Sequence, residues 1–340
     1  MRVAVLGGSR FVGFRVAQMA ANAGADVTLL NRGRTRPPGP VASSATHVTA
    51  DRDDPSHAAA LTGTFDVVFD FSGHHPRHVE PFISQASRAR IHHYVFCSTS
   101  SVYRVPPPCP HDERAPLRRD PGTYGGDKAR AEDLLLDAHR REGWPVTIVR
   151  PQGIIGDLDP GAAGFIFSRL AHGLPLFLGP NAWCRLNPLH IDDFGAALLR
   201  IAASPASHGR IYNVAGNDAV SLRGLVQLCG DVSGRAVRVA TPPDWRHRFV
   251  DIGPPWLTHD LVADTSAIRH DLGVEFVPLR NTLAGLWRTL QENPEALHPR
   301  LLAGERDLHA GRRVRLALVA PGLRRIAGQS RWRRAFWTPH

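Results

Sequence analysis

Val3-Ala4-Val5-Leu6-Gly7-Gly8-Ser9-Arg10-Phe11-Val12-Gly13 is the stretch that decides the fold. Its apolar start shows no polar alternation, as expected of a strand buried on both faces of a parallel sheet. Gly7, Gly8 and Gly13 then bring the chain tightly round into Phe11–Ala23, where small and apolar residues recur at helical spacing, and Gly24 and Asp26 turn it back into Val27–Leu30. This is a βαβ unit. Further short apolar runs at His47–Thr49, Val67–Phe71, Tyr94–Ser98 and Val146–Val149 continue the pattern, and together they predict an α/β protein with a doubly wound parallel sheet.

Working outward, the proline-rich stretches Arg36–Pro40 and Val105–Pro110 read as loops. A strand-like pair, Pro188–Ile191 and Arg210–Val214, is expected to return to the sheet. The predicted organisation is a dinucleotide-binding domain over 1–155, rejoined by 187–215, and a smaller substrate domain from 156–186 and 216–299. Residues 300–340 form a basic tail.

Composition narrows the class. The chain has 340 residues, 43% of them hydrophobic, enough for one large or two unequal cores. Met1 leads directly into the first strand, and no apolar run is long enough to span a bilayer, so the expected location is cytoplasmic. Cys97, Cys109, Cys184 and Cys229 are scattered without ligand spacing, which fits reduced thiols and predicts no metal site. The net charge is +10, but ten arginines against Glu305 and Asp307 fall between Arg300 and the end, so most of the basicity belongs to the tail. There Arg312–Ala320 has the pattern of a basic amphipathic helix, and Trp332 and Trp337 flank further arginines. Such a tail suits an anionic surface, whether a membrane, a partner protein or a nucleic acid.

The glycine turn has a chemical reading. Gly7, Ser9, Arg10, Phe11, Val12 and Gly13 place backbone amides and a helix N-terminus where a dinucleotide pyrophosphate can rest. The second strand ends in Asn31-Arg32-Gly33-Arg34, where an acidic residue would bond a ribose 2′-hydroxyl. A neutral Asn31 with Arg32 and Arg10 suits a 2′-phosphate instead, which favours NADP(H) and leaves NAD(H) open. Asp51 and Arg52 after the third strand are placed for the adenine, and Ser72-Gly73 after the fourth for the ribose.

Tyr124-Gly125-Gly126-Asp127-Lys128 puts a phenol and an ammonium one helical turn apart. A nearby cation favours the phenolate and brings a tyrosine into the range of acid/base work. Lys128 is the one lysine among 41 basic residues, in a chain that otherwise uses arginine throughout. Upstream, Ser98-Thr99-Ser100-Ser101 ends the fifth strand in a row of hydroxyls, at the sheet edge where ligands bind in open α/β folds.

These motifs, together with Val102-Tyr103, Arg150-Pro151 with Gly156, His190-Ile191-Asp192-Asp193 and Tyr212-Asn213-Val214, resemble in order and spacing the extended short-chain dehydrogenases of the NAD-dependent epimerase/dehydratase family. The resemblance covers about residues 1–295 and implies a Rossmann fold with a small C-terminal substrate domain, and often a homodimer. It selects Thr99, Tyr124 and Lys128 as the catalytic set and adds Pro151 to the cofactor contacts. The implied activity is NAD(P)-dependent reduction or epimerisation at a carbonyl or alcohol carbon of a small sugar-derived or secondary-metabolite substrate. The family's dehydratases carry an Asp-Glu pair where this chain has Ser100-Ser101, and its sugar-nucleotide members an Asn at Gly153. The turn and Asn-Arg-Gly are most similar to a branch related to chloroplast stem-loop-binding proteins and isoflavone-type reductases. The alternative reading is a dinucleotide-binding regulatory or nucleic-acid-binding module that works through its arginine-rich tail.

Overall fold

The computed structural model describes the chain except residues 36, 42–43, 84–89, 157–161, 179, 241–258 and 298–340. The basic tail, including Arg312–Ala320, Trp332 and Trp337, therefore lies outside the described residues. So do residues 241–258 of the predicted substrate domain.

Seven strands form one parallel sheet: β1 (Arg2–Leu6), β2 (Asp26–Asn31), β3 (Thr46–Thr49), β4 (Val67–Asp70), β5 (Tyr94–Cys97), β6 (Val146–Pro151) and β7 (Ile211–Val214). Their order across the sheet is β7-β6-β5-β4-β1-β2-β3. The helices are α1 (Phe11–Asn22), α2 (Pro76–Ile83), α3 (Tyr124–Glu142), α4 (Ala162–Ala171), α5 (Ile191–Ala202), α6 (Leu222–Ser233), α7 (Ser266–Leu272) and α8 (Leu279–Glu292). The order reverses between β1 and β4, so the carboxyl ends of these two strands open the crevice in which doubly wound sheets bind ligands.

The uninterrupted apolar runs follow from burial on both sides. Val3 and Val5 enter a core shared with Val16, Ala17 and Ala20 of α1 and Phe194, Leu198 and Ile201 of α5. Ala4 and Leu6, pointing the other way, join Val79 and Phe82 of α2 and Leu135 of α3. Val3 to Leu6 are all fully buried. At about 1.5–3 kcal/mol for each large aliphatic side chain buried, these two faces dominate the stability of the sheet.

The chain divides into two compact units. The first contains 1–154, 189–215 and 263–276, and the second 155–188, 216–262 and the residues from 277 onward. Two expectations need correction. Segment 263–276, assigned from its place in the sequence to the substrate domain, belongs to the sheet unit because Ile268, Val274 and Phe276 are buried in its core. Of the strand pair expected to return to the sheet, only Ile211–Val214 does so, beside β6. Leu189–His190 is a two-residue strand outside it, where the Leu189 amide bonds the Gly153 carbonyl before α5 begins. The second unit gathers α4, α6 and α8 around Phe167 and Trp287, whose rings stack with centroids 5.2 Å apart. Among the described residues no helix is long and apolar enough to cross a membrane.

Candidate active site

The turn from β1 to α1 is built by close approach. Gly7 has φ +91°, and a Cβ on Gly13 would stand 2.6 Å from the Gly7 carbonyl oxygen, so neither position accepts a side chain without moving the turn. Phe11 opens α1 at φ +40°. Ser9 is buried, and Val12 packs against the core. Arg10 occupies the N-cap but makes no side-chain cap bond, leaving first-turn amides open to an anion. Its guanidinium instead donates to Thr35 Oγ1 at 3.2 Å, tying the turn to the loop after β2. In that loop Asn31 accepts from the Gly33 amide at 2.8 Å, Arg32 is exposed, and Arg34 lies 3.7 Å from Asp51. The structure thus brings Arg10, Asn31, Arg32 and Asp51 to neighbouring strand ends.

Arg52 does not join them. Its side chain turns inward, 8% exposed, and donates to Asp70 Oδ2 at 2.8 Å and the His78 carbonyl at 2.6 Å, with its guanidinium over the Phe82 ring. The expectation of a cofactor contact from its side chain is corrected accordingly. The Asp51-Arg52-Asp53-Asp54 run looks like a solvated charge cluster in sequence, yet one member is buried.

Asp70, absent from the sequence reading, organises this part of the site. It ends β4 fully buried and accepts from Tyr94 Oη at 2.5 Å, the Ser72 amide at 2.9 Å and the Gly73 amide at 2.8 Å. Burial alone would raise the carboxyl, but the Arg52 charge, the Tyr94 hydroxyl and Lys128 more than offset it and hold Asp70 below the usual carboxylate range. Ser72 and Gly73 are thereby fixed at the switch point. No apolar pattern signals this residue, because it looks like the polar end of an ordinary strand.

The third cluster lies at β5 and α3. Thr99 accepts from the Ser101 amide at 3.1 Å and caps the short turn Ser100–Val102. Thr123 caps α3, accepting from the Gly126 amide at 3.2 Å. A Cβ on Gly125 would lie 1.9 Å from the Ser101 carbonyl oxygen, so the glycine lets the first turn of α3 rest directly on the hydroxyl-bearing turn. Tyr124, the first residue of α3, is 46% exposed, whereas Lys128 one turn later is 1% exposed. The lysine ammonium donates to the Cys97 carbonyl at 2.5 Å and lies over the Phe96 ring. Burial pushes its pKa down, against the pull of Cys97, Asp70 and Glu132. Pro151 ends β6, the strand beside β5.

Behind α3 a buried ion pair sets the helix. Arg150 bonds both carboxylate oxygens of Glu132, at 3.1 and 2.6 Å, and donates to Tyr103 Oη at 3.0 Å, which in turn donates to Asn213 Oδ1 at 2.5 Å. Arg150, Tyr103 and Asn213, noted in the sequence only as motif residues, are therefore one network linking β6, β7 and α3.

These features fit a nicotinamide dinucleotide: a glycine cradle that a Cβ would fill, amides at a helix N-terminus, and a buried ammonium at the end of β5, two strands from β1. The sequence pattern of the NAD dependent epimerase/dehydratase family matches residues 3–215. The chain belongs to this family. Among relatives, the chloroplast stem-loop binding protein of 41 kDa b from Arabidopsis thaliana is 27% identical over 248 residues, which cover 68% of this chain and 63% of that protein. A UDP-glucose 4-epimerase from Corynebacterium glutamicum is 23% identical over 324 residues, covering 84% of this chain and 95% of the epimerase. The solved UDP-glucuronic acid 4-epimerase from Bacillus cereus, in complex with NAD, shares the fold with a TM-score of 0.69 at 17% identity, over 86% of this chain and 99% of that one. The family's pattern and the epimerases among the relatives support a reading as an NAD(P)-dependent oxidoreductase.

Proposed function

We propose that this family member is an NADP(H)-dependent reductase or epimerase acting at a carbonyl or alcohol carbon of a small sugar-derived or secondary-metabolite substrate, in the cytoplasm. One observation carries the reading. The chain's single lysine is buried with its ammonium on the Cys97 carbonyl, two residues before Thr99, and one helical turn after the exposed Tyr124. Burying an ammonium is costly, and a chain that elsewhere uses arginine keeps lysine here because a compact cation on a flexible stem tunes a neighbouring acid.

In this reading Thr99 holds the substrate oxygen by a hydrogen bond, and Tyr124 gives or takes its proton. Lys128 favours the phenolate and bonds the ribose hydroxyls. A bound nicotinamide supplies the hydride donor or acceptor. Gly7, Gly13 and the first-turn amides of α1 hold the pyrophosphate, Ser72 and Gly73 the ribose, and Arg10 and Arg32 the 2′-phosphate. The exposed Arg32 and the neutral Asn31 support the choice of NADP(H) over NAD(H).

The test is a fluorescence titration of the purified protein with NADPH and with NADH, followed by a screen of carbonyl compounds for NADPH oxidation. The expected result is tighter binding of NADPH and, in Tyr124→Phe, unchanged NADPH binding with turnover lost. Full turnover in Tyr124→Phe refutes the acid/base assignment, and equal binding of the two nucleotides refutes the cofactor preference.

A further inference from the structure

Beside the first turn of α3 the surface opens into a groove that the acid/base chemistry leaves unused. Its volume is 560 Å³, and it is lined by Arg104, Val105, Leu117, Arg118, Arg119 and Asp120. A short antiparallel ribbon frames it. Tyr103 pairs with Leu117, and on either side of that pair the Arg104 amide donates to the Pro116 carbonyl at 2.7 Å and the Arg118 amide to the Val102 carbonyl at 2.8 Å. Leu117 packs against the buried cluster of Val102, Tyr103, Ala115 and Ala129, whereas Val105 is 54% exposed. Apolar side chains and guanidinium groups thus line the same groove.

The arginines are held in place without being used up. Arg118 donates to Asp120 through Nε at 3.0 Å and Nη2 at 2.7 Å, and Arg119 donates to Asp133 of α3 through Nε at 2.7 Å and Nη2 at 3.0 Å. A guanidinium carries five N–H donors, so each carboxylate fixes one edge of its arginine and leaves the two Nη1 donors for another acceptor. Arg104 is exposed and has no carboxylate partner among the described residues. Three arginines therefore stand against two carboxylates, Asp120 and Asp133, and the groove is positive. Sites for small organic molecules measure about 300–1,000 Å³ and combine apolar lining with a few placed polar groups. A lone inorganic ion would leave most of this space unfilled, and arginine forks match the oxygens of a carboxylate or phosphate.

The groove also adjoins the turn that carries Tyr124. A Cβ on Gly125 would lie 3.1 Å from Arg118 Cδ, and the Asp120 carbonyl accepts at 2.9 Å from Oγ1 of Thr123, the cap of α3.

We propose that this groove is a binding site for an organic anion, a phosphate or carboxylate on an apolar body, with Arg104 and the Nη1 groups of Arg118 and Arg119 taking the acidic group and Val105 and Leu117 the body. Such an anion is either the acidic end of the substrate or a separate ligand that acts on the first turn of α3. The site itself does not depend on the acid/base role of Tyr124; only the choice between these two sources rests on that reading.

Isothermal titration of the full chain with phenyl phosphate tests it, with NADP⁺ at saturation so that the dinucleotide cradle is filled. Phenyl phosphate is expected to bind, inorganic phosphate to bind at least about ten-fold more weakly, and benzyl alcohol, which lacks the charge, not to bind measurably. Arg104→Ala should weaken phenyl phosphate about ten-fold, as for the loss of one charge-assisted contact. Arg104→Ala combined with Arg119→Ala should abolish its binding while NADP⁺ affinity stays within about two-fold. Arg104 and the Arg119–Asp133 pair are exposed, so neither change removes a buried contact. Undiminished binding in the double variant overturns the proposal, because the anion then sits elsewhere. So does inorganic phosphate that binds as tightly as phenyl phosphate, which would reduce the groove to exposed charge, or a wild type that binds neither. Turnover of carbonyl compounds with NADPH separates the two sources. If the substrate's acidic end fills the groove, Arg104→Ala raises KM about ten-fold for compounds bearing a phosphate or carboxylate and leaves neutral ones unchanged. If a separate ligand fills it, phenyl phosphate changes kcat for a neutral compound without competing with it. Failure of wild type to bind either nucleotide sinks the functional reading, and the titration without NADP⁺ then decides the groove by the same variants.

Discussion

Two groups of charges stand at the carboxyl edge of the sheet, and they are built in opposite ways. At the ends of β4 and β5, Asp70, Arg52 and Lys128 are almost fully buried, and each has a specific partner. After β2, Arg32 and Arg34 are exposed, and the nearest acid to Arg34 is 3.7 Å away. Buried charges are retained only when partners compensate for lost hydration, and such partners fix geometry. Exposed charges fix little and act through the field they present. The first arrangement suits steps that need atoms in set positions, and the second suits selection of a ligand by charge.

The contrast breaks most visibly at Asp70. Asp70→Ala leaves the Arg52 guanidinium buried without its carboxylate and is expected to lower unfolding stability by about 4 kcal/mol, measured by denaturant titration. Asp70 in the folded protein lies below its ordinary value, so its contribution is complete above that value and is lost as pH falls through the folded one. Asp70→Asn should therefore give a flatter stability curve than wild type below about pH 4. A loss under about 1 kcal/mol would mean that the pair is solvated and the contrast is wrong.

Next comes the close contact that seats α3. Gly125→Ala forces a methyl group into the Ser101 carbonyl, and neither backbone is free to move, so a loss of about 3 kcal/mol is expected in the same titration. Lys128→Met separates stability from chemistry. Removing a buried ammonium in favour of an apolar chain of similar length should leave the unfolding midpoint level or higher, while turnover falls by at least about 100-fold. Equal losses in both would mark Lys128 as structural.

The ease of reading the sequence follows the same division. β1, β2, β4 and β5 were legible because strands covered on both faces must be continuously apolar, and Tyr124 with Lys128 because a helical turn imposes a fixed spacing. Arg32 was legible because a short exposed loop shows its charges in the sequence. Asp70 and Arg52 were not, since their roles depend on a partner 18 residues away that no periodicity announces. The same holds for α7, whose Ile268 enters the first core although its chain neighbours lie in the second unit.

The exposed group gives the smallest effect and the sharpest discrimination. Arg32→Ala removes no buried contact, so stability should be unchanged, while NADPH binding weakens by about ten-fold and NADH binding stays the same, because only the former carries a 2′-phosphate. Since the charge is exposed, the preference should shrink as salt rises from low ionic strength to about 0.5 M, where screening acts over only a few ångströms. The loss of turnover in Lys128→Met should show no comparable salt dependence, because the lysine charge is sealed from the solvent ions. A preference for NADPH that survived both high salt and Arg32→Ala would place the discriminating charge in a buried position, and the two halves of this edge would then be built alike.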